Sequence, residues 1–297
     1  MRYWFITFII FSFSIQAEYL FTDKSFKASE RWTAYSDSEL SNLKNLFRQL
    51  LKSKTGKELV GLAQKKAKEQ GKSILELVKV GQGSLTDTTL VRKFSAHHPD
   101  EVSYESNSVV YINQDLSQYD AVLDLAHELT HFVYRKNFNP YEGNFTLPEF
   151  IKNTIEGNGG EVQAFLMECK VLSELFPRSA DGRYNCNLVR TDSGHGFSFK
   201  KAVDKFYQVG HYFESFEQML ENHGIRKNFP QISADKSNFI SSAYGIPYPV
   251  AAFEEYQTVM AKVCENDKRR LGYFKTNKGR SPASISQFEN KIKSRCP

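Results

Sequence analysis

Residues 119–136 read YDAVLDLAHELTHFVYRK, and this stretch predicts the central element of the fold. Its apolar residues recur at helical spacing around most of the circumference, which is typical of a helix inside the protein. His127 and His131 lie four residues apart, so their imidazole rings project from the same side of that helix. Neutral imidazole is a good zinc ligand. The stretch therefore predicts two metal ligands in a cleft or in the interior.

Glu128 follows the first histidine and adds a possible general base to the two predicted metal ligands. It is rotated by about 100° around the helix axis, so it is not a ligand in the same plane but can reach a metal-bound water. A carboxylate in that place acts as a general base when the water attacks a carbonyl carbon. The composition predicts about 0.01 chance occurrences of this histidine–glutamate–histidine spacing in the chain. We therefore expect one zinc ion per chain, with Glu128 as a catalytic residue.

The chain on either side of this helix predicts an α+β protein. Two segments rich in β-branched and aromatic residues predict strands, at 86–94 and 108–116. Apolar periodicity predicts further helices at 36–53, 56–69, 161–176, 200–223, 250–266 and 281–293, with loops at 136–150 and 178–198. We expect an N-terminal subdomain at 18–135, with the sheet and the active-site helix, and a mainly helical C-terminal subdomain at 136–297.

The order of these elements resembles the zincin class of zinc metallopeptidases. Strand SVVYIN (108–113), the helix with HELTH, a loop and a second helix opening with a glutamate are most similar to the gluzincin branch, over roughly residues 105–175. Tyr134 and Asn137 stand where the metzincin branch has a glycine and a third histidine. The resemblance implies a zincin-like fold and peptide-bond hydrolysis. It also implies that the strand before the motif helix edges the groove, so that Val109–Asn113 line the substrate cleft.

The gluzincin resemblance implies a glutamate on the next helix as the third zinc ligand. Glu161, in GGEVQAF, is our choice, and Glu156, in NTIEGN, is the alternative. Glu168 shares a face with Glu161 but lies two turns further along the axis. Phe165 and Gly160, four residues beyond the two candidates, do not supply the supporting aspartate of well-known gluzincins. The sequence therefore leaves the outer shell of the site open.

A zinc peptidase usually has one more donor that stabilises the oxyanion. His195 lies between two glycines in a predicted loop, where a mobile catalytic side chain could stand. We therefore assign His195 as the second catalytic residue. The alternatives are His211, His223, Tyr244 and Tyr248.

The first residues predict export from the cytoplasm. Residues 1–17 have the form of a signal peptide, with Arg2 followed by the apolar run Tyr3–Phe13. That run is too short to span a bilayer comfortably, so we expect no stable membrane insertion after cleavage. The mature chain would begin at about Glu18, and 18–35 could be a short propeptide. We expect a secreted or periplasmic protein.

An exported chain with an even number of cysteines is expected to form disulfides. The four cysteines allow three pairings, and we favour the pairing that is local in sequence. It joins Cys169 to Cys186 and Cys264 to Cys296.

The net charge of +5 is mildly basic and does not indicate a nucleic-acid binder. The expected partner is a peptide, protein or cell-wall peptide substrate, and the expected state is a monomer. The alternative is a non-catalytic envelope protein on the same scaffold, which would bind a polymer through basic surfaces at Lys65–Lys68 and Lys268–Arg280. Binding that weakens with added salt but does not change when a chelator is added would favour that alternative.

Overall fold

The computed structural model describes residues 29–95, 97–98, 100–136, 138–143, 145–177, 185–276 and 281–296. The predicted signal peptide lies outside the described residues. Within the described part of the chain, no helix is both long enough and apolar enough to cross a bilayer.

The predicted α+β class is confirmed. The α-helices are α1 (Glu39–Leu50), α2 (Lys54–Glu69), α3 (Ile74–Leu77), α4 (Gln118–Tyr134), α5 (Leu147–Ile155), α6 (Glu161–Leu175), α7 (Phe199–Phe206), α8 (Phe213–Asn222), α9 (Tyr248–Thr276) and α10 (Pro282–Arg295). The strands are β1 (Val78–Gly81), β2 (Leu85–Phe94) and β3 (Val102–Asn113).

The three strands form one mixed sheet in the order β1-β3-β2. β1 runs parallel to β3, and β2 runs antiparallel to it. The predicted strands correspond to β2 and β3, whereas β1 was not predicted. The expectation that Val109–Asn113 forms the edge of the cleft is wrong, because β3 is the central strand. The edge beside the cleft is β2.

Helix α4 occupies the centre of the molecule, as its apolar circumference predicts. Ser117 caps its first turn by accepting a hydrogen bond from the backbone of Asp120. Leu125, Ala126 and Leu129 are fully buried. The helix packs against α1 and α2 on one side and against α6 on another. This packing fixes the direction in which its polar side chains point. The proposed boundary between 135 and 136 stays a prediction.

The single helix predicted at 200–223 is wrong, because α7 and α8 are separate. Gly210 lies between them with a φ of 59°, a conformation that interrupts a right-handed helix. The backbone there bonds to another segment instead, with Val209 donating to Ser233 and Gly210 donating to Asp235. Those long-range partners leave no trace in the local apolar spacing.

Two further boundaries differ from the prediction. Part of the predicted loop at 136–150 belongs to α5, which starts with Pro148 in its first turn. Helix α9 continues to Thr276, ten residues beyond the predicted end. In its second half the buried residues are Val263, Asp267 and Phe274, and most of the other charged side chains are exposed.

Both favoured disulfides are confirmed. Cys169–Cys186 ties α6 to the short turn at 185–189, and Cys264–Cys296 ties α9 to the end of α10. Their Cα atoms lie 5.6 Å and 5.7 Å apart, which is ordinary for a disulfide. Two disulfides suit a secreted or periplasmic protein.

Candidate metal centre

The HELTH motif places three possible metal ligands together on α4. One ligand atom from each of His127, Glu128 and His131 lies within 4.8 Å of the other two. Glu128 and His131 are buried, with 6 % and 5 % of their surfaces exposed. Burial of these polar side chains around one point has a high desolvation cost, which a bound cation would offset. This group could hold a metal ion.

Glu161, the first residue of α6, reaches both histidines. Its Oε2 lies 3.3 Å from Nε2 of His127, and its Oε1 lies 3.4 Å from Nε2 of His131. Ligands bound to zinc at about 2.0–2.1 Å in a tetrahedron stand about 3.3–3.4 Å apart. The spacing of these donor atoms therefore fits a zinc-sized ion between them. Arg135 donates to Oε1 at 3.0 Å and holds the carboxylate in this orientation.

Glu156, the alternative ligand, lies elsewhere. Its carboxylate accepts a hydrogen bond from the Tyr207 hydroxyl at 3.1 Å. It is not among the described residues that line the cleft. The structure brings Glu161 to the histidines and leaves Glu156 in a separate hydrogen bond.

The other ring nitrogen of each histidine already has an acceptor. Nδ1 of His131 lies 2.8 Å from the carbonyl oxygen of Gly159, and Nδ1 of His127 lies 3.4 Å from Oε2 of Glu168. A carbonyl oxygen can only accept, so Nδ1 of His131 carries a hydrogen, and Nε2 is the nitrogen that faces Glu161. Metal-binding histidines have this arrangement, which fixes the ring and the tautomer. Glu168 thus supplies the outer carboxylate that the sequence left open.

The GNGG turn at 157–160 places the Gly159 carbonyl. Gly159 has a φ of 69°, and a Cβ there would collide with the backbone of Arg135 at the end of α4. Only glycine lets the turn come this close to the helix. Gln163 accepts a hydrogen bond from the Gly159 N–H at 2.8 Å and fixes the peptide from its other side. The sequence showed this stretch as a break, but not its role in orienting His131.

The charges of this centre are arranged to favour a cation. Burial alone would lower the pKa of His127, but hydrogen bonds to Glu161 and Glu168 raise it well above its ordinary value. Burial alone would raise the pKa of Glu161, but the charge of His131 and a hydrogen bond from His127 hold it well below its usual range. The carboxylates therefore stabilise positive charge at His127, where the possible ligand atoms converge.

Glu128 is held from the side by the edge strand. The Thr86 hydroxyl lies 2.7 Å from Glu128 Oε2 and 2.9 Å from the Glu128 carbonyl oxygen. This contact restrains the Glu128 carboxylate beside the two histidines. No local pattern could point to Thr86, because its contact with α4 spans 42 residues and depends on the strand register.

The centre opens into a cleft of about 820 Å³. Strand β2 and the residue before it form one wall, at 84–90, and Tyr248 at the start of α9 lies opposite. Burial and the negative charges of Glu161 and Glu128 raise the pKa of Tyr248 well above its ordinary value. Its hydroxyl therefore keeps its proton and can donate a hydrogen bond. Tyr248 was one of the alternatives for the oxyanion donor.

His195 is not brought to this cleft. It is exposed in a tight turn between Gly194 and Gly196, where its carbonyl accepts from the Thr191 hydroxyl. Of the alternatives named from the sequence, Tyr244 and Tyr248 line the cleft, whereas His211 and His223 are not among its described lining residues.

Comparisons of the chain with protein-family models, with curated proteins and with solved structures found no match.

Proposed function

We propose that this protein is an exported zinc-dependent metallopeptidase that hydrolyses amide bonds in extended peptides. The observation that carries the proposal is the convergence of His127 Nε2, His131 Nε2 and the Glu161 carboxylate, with Glu128 beside them in an open cleft. Three protein ligands with space for a further one are typical of catalytic zinc sites, whereas structural sites are closed by four.

The donor set favours zinc over other common ions. Two imidazoles and one carboxylate suit zinc, whereas magnesium and calcium prefer oxygen ligands throughout. The residues that would hold the ion are His127, His131 and Glu161. When bound, zinc would supply Lewis-acid activation of water and of the substrate carbonyl. The outer contacts of Glu168 and the Gly159 carbonyl keep the two rings in place for it.

Glu128 is the general base in this proposal. Its carboxylate would accept a proton from the attacking water and later pass it to the leaving amine. The Thr86 hydroxyl orients the carboxylate by donating to Oε2. Tyr248 is the proposed donor to the carbonyl oxygen as that oxygen gains negative charge.

Strand β2 is the proposed binding site for the substrate backbone. In the described structure it pairs on one side only, with β3, and its residues 85–90 line the cleft. An extended peptide can add to such an edge through main-chain hydrogen bonds. This binding mode accepts protein segments and cell-wall peptides alike, because both present amide groups.

The test combines metal content with hydrolysis. We expect about one zinc per purified mature chain. Wild-type protein should cleave a random peptide mixture, with new amino termini detected by mass spectrometry. Glu128→Gln should keep the zinc and lower the cleavage rate by about 10²–10⁴-fold. No zinc after incubation with excess metal, or full activity in Glu128→Gln, would contradict the proposal.

A further inference from the structure

A second cavity, of about 320 Å³, adjoins the cleft at the far end of β2. Leu90, Tyr141 and Asn266 line both spaces, so the two are neighbours. Arg92 and Arg269 add positive charge to its wall, and no carboxylate is among the described residues that line it. We refer to it as the arginine cavity.

Arg92 is fixed rigidly in this wall. Its side chain is 6 % exposed, and its guanidinium lies 3.9 Å from the centre of the Tyr141 ring. Tyr141 in turn stacks on Tyr104 at 5.9 Å. Nη1 of Arg92 donates to Asp267 at 2.5 Å, but its Nη2 is buried and has no hydrogen-bond partner among the described residues. The capacity of this guanidinium to donate is therefore not exhausted.

Positive charge exceeds negative charge around the cavity. The buried carboxylate of Asp267 is shared by Arg92 and Arg295, so it balances only one of them. Arg269 pairs with Glu265, but both side chains are mostly in water, where such a pair is weak. A negatively charged group entering the cavity would be attracted by the fixed guanidinium of Arg92 and could pair with Arg269, which is mostly exposed and can move to it.

The strand connects this charge to the metal centre. Thr86, which contacts Glu128, and Arg92 are six positions apart and share one face of β2. At about 3.3–3.4 Å per residue, the cavity begins about 13 Å from Thr86, at Leu90, and extends to about 20 Å at Arg92. A peptide extended along the strand would cover this distance with about four to six residues.

We propose that the arginine cavity is a substrate subsite that binds a carboxylate four to six residues from the bond that is cleaved. This inference rests on the proposed peptidase function. The planar guanidinium matches the geometry of a carboxylate and donates to both oxygens. The carboxylate can belong to an acidic side chain or to the carboxyl terminus of the peptide.

Binding and cleavage are measured separately, so that the two proposals can fail independently. The probes are rhodamine-labelled peptides of alanine, serine and leucine with blocked ends and one central glutamate. Two matched probes carry glutamine in place of the central glutamate. One of them has both ends blocked, and the other has a free carboxyl terminus. Binding to zinc-loaded Glu128→Gln protein is followed by fluorescence anisotropy, and cleavage positions in wild type are read by mass spectrometry.

We expect a carboxylate probe to bind at least about tenfold more tightly than the blocked glutamine probe. Tighter binding of the glutamate probe would identify an acidic side chain as the bound group. Tighter binding of the free-terminus probe would identify the carboxyl terminus. Arg269→Gln and Asn266→Asp should abolish the gain. Lys268→Gln is the matched control, since it removes a neighbouring exposed charge that does not line the cavity. Cleavage should fall four to six residues from the carboxylate.

Equal binding of all probes, or an equal loss in Lys268→Gln, would overturn the subsite. Cleavage without positional preference would overturn it too, while leaving the peptidase function in place. Binding that depends on Arg269, but with no cleavage of any probe by zinc-loaded wild type, would instead overturn the peptidase function and leave a carboxylate-binding site.

Discussion

The metal centre and the arginine cavity lie along the same strand but carry opposite charge. At the metal centre, several carboxylates surround two imidazoles: Asp124, Glu128, Glu161 and Glu168. At the cavity, arginines surround two carboxylates, with Arg92, Arg269, Arg270 and Arg295 near Asp267 and Glu265. One end is therefore built to hold a cation and the other an anion. A single extended peptide could use both ends of β2.

The two regions are also held together differently. The metal centre lies between α4 and α6, where helix packing and the tight turn at 157–160 fix the ligands. The cavity lies beside α9 and α10, which are joined by Cys264–Cys296. That disulfide brings the end of α10 close enough for Arg295 to reach Asp267. The two regions should therefore respond to different mutations.

The largest expected effect is the loss of metal on Glu161→Ala. Mutation of an outer-shell partner typically weakens metal binding by 10–100-fold, and removal of a direct ligand costs more. We therefore expect zinc affinity to fall by more than about 100-fold. Competition with a chelator of known affinity measures this.

The matched control for that variant is Glu156→Ala, which removes a carboxylate that is bonded to Tyr207 and is not among the described residues lining the cleft. It should keep wild-type zinc affinity. If Glu156→Ala lost zinc and Glu161→Ala kept it, our assignment of the third ligand would be reversed.

The next effect is on stability, in the double variant Cys264→Ser with Cys296→Ser. The disulfide closes a segment of 32 residues, so its loss should lower the free energy of unfolding by about 3.7 kcal/mol. Zinc affinity should not change, because both cysteines lie on the cavity side. Denaturant unfolding and chelator competition measure the two quantities.

The other disulfide supplies the contrast. Cys169 is fully buried on α6, next to Glu168. Its replacement together with Cys186 should weaken zinc binding as well as stability, since α6 carries both Glu161 and Glu168. An equal loss of zinc affinity in both double variants would show that the two regions are not held independently.

The features predicted from sequence are those with a local cause. HELTH lies within a single helix, so His127 and His131 could be placed together by the helical repeat alone. The disulfides could also be anticipated, because each joins cysteines that are neighbours along the chain. The third ligand was limited to Glu161 or Glu156 by the gluzincin resemblance, which implies a glutamate on the helix after the motif.

The features that were missed depend on how distant segments meet. The expectation that β3 forms the edge of the cleft did not allow for β2. This strand pairs with β3 and is itself the edge strand beside the cleft. Glu168 was set aside as too far along its helix, but α6 packs against α4 so that Glu168 lies beside His127. Tyr248 reaches Glu161 from 87 residues further along the chain, and no local pattern could rank it above His195.

Glu168→Gln tests the outer shell of the metal centre. It keeps the shape of the side chain but removes the negative charge next to His127 Nδ1. We expect zinc affinity to fall by about 10–100-fold. Glu174→Gln, on the same helix but bonded to Thr55, should leave zinc affinity as it is. An unchanged affinity in Glu168→Gln would mean that Glu168 does not orient His127.

The smallest expected effect is that of Thr86→Val, at the point where the strand meets the metal centre. Valine keeps the shape of threonine but cannot donate to Glu128, so the carboxylate would be free to rotate. A hydrogen bond to a charged group contributes enough to change kcat by about tenfold. KM and zinc content should stay near wild type, and Thr86→Ser should restore kcat.

Thr88→Val is the control for this last variant. Thr88 lies two positions along the same face of β2, and its hydroxyl bonds to Ser108 within the sheet. If only Thr86→Val lowers kcat, then β2 positions the general base in addition to any role in holding the substrate. If both variants raise KM and leave kcat unchanged, then the strand acts only in substrate binding. Glu128 would in that case be oriented by α4 alone, and the metal centre would function without help from the strand that joins it to the arginine cavity.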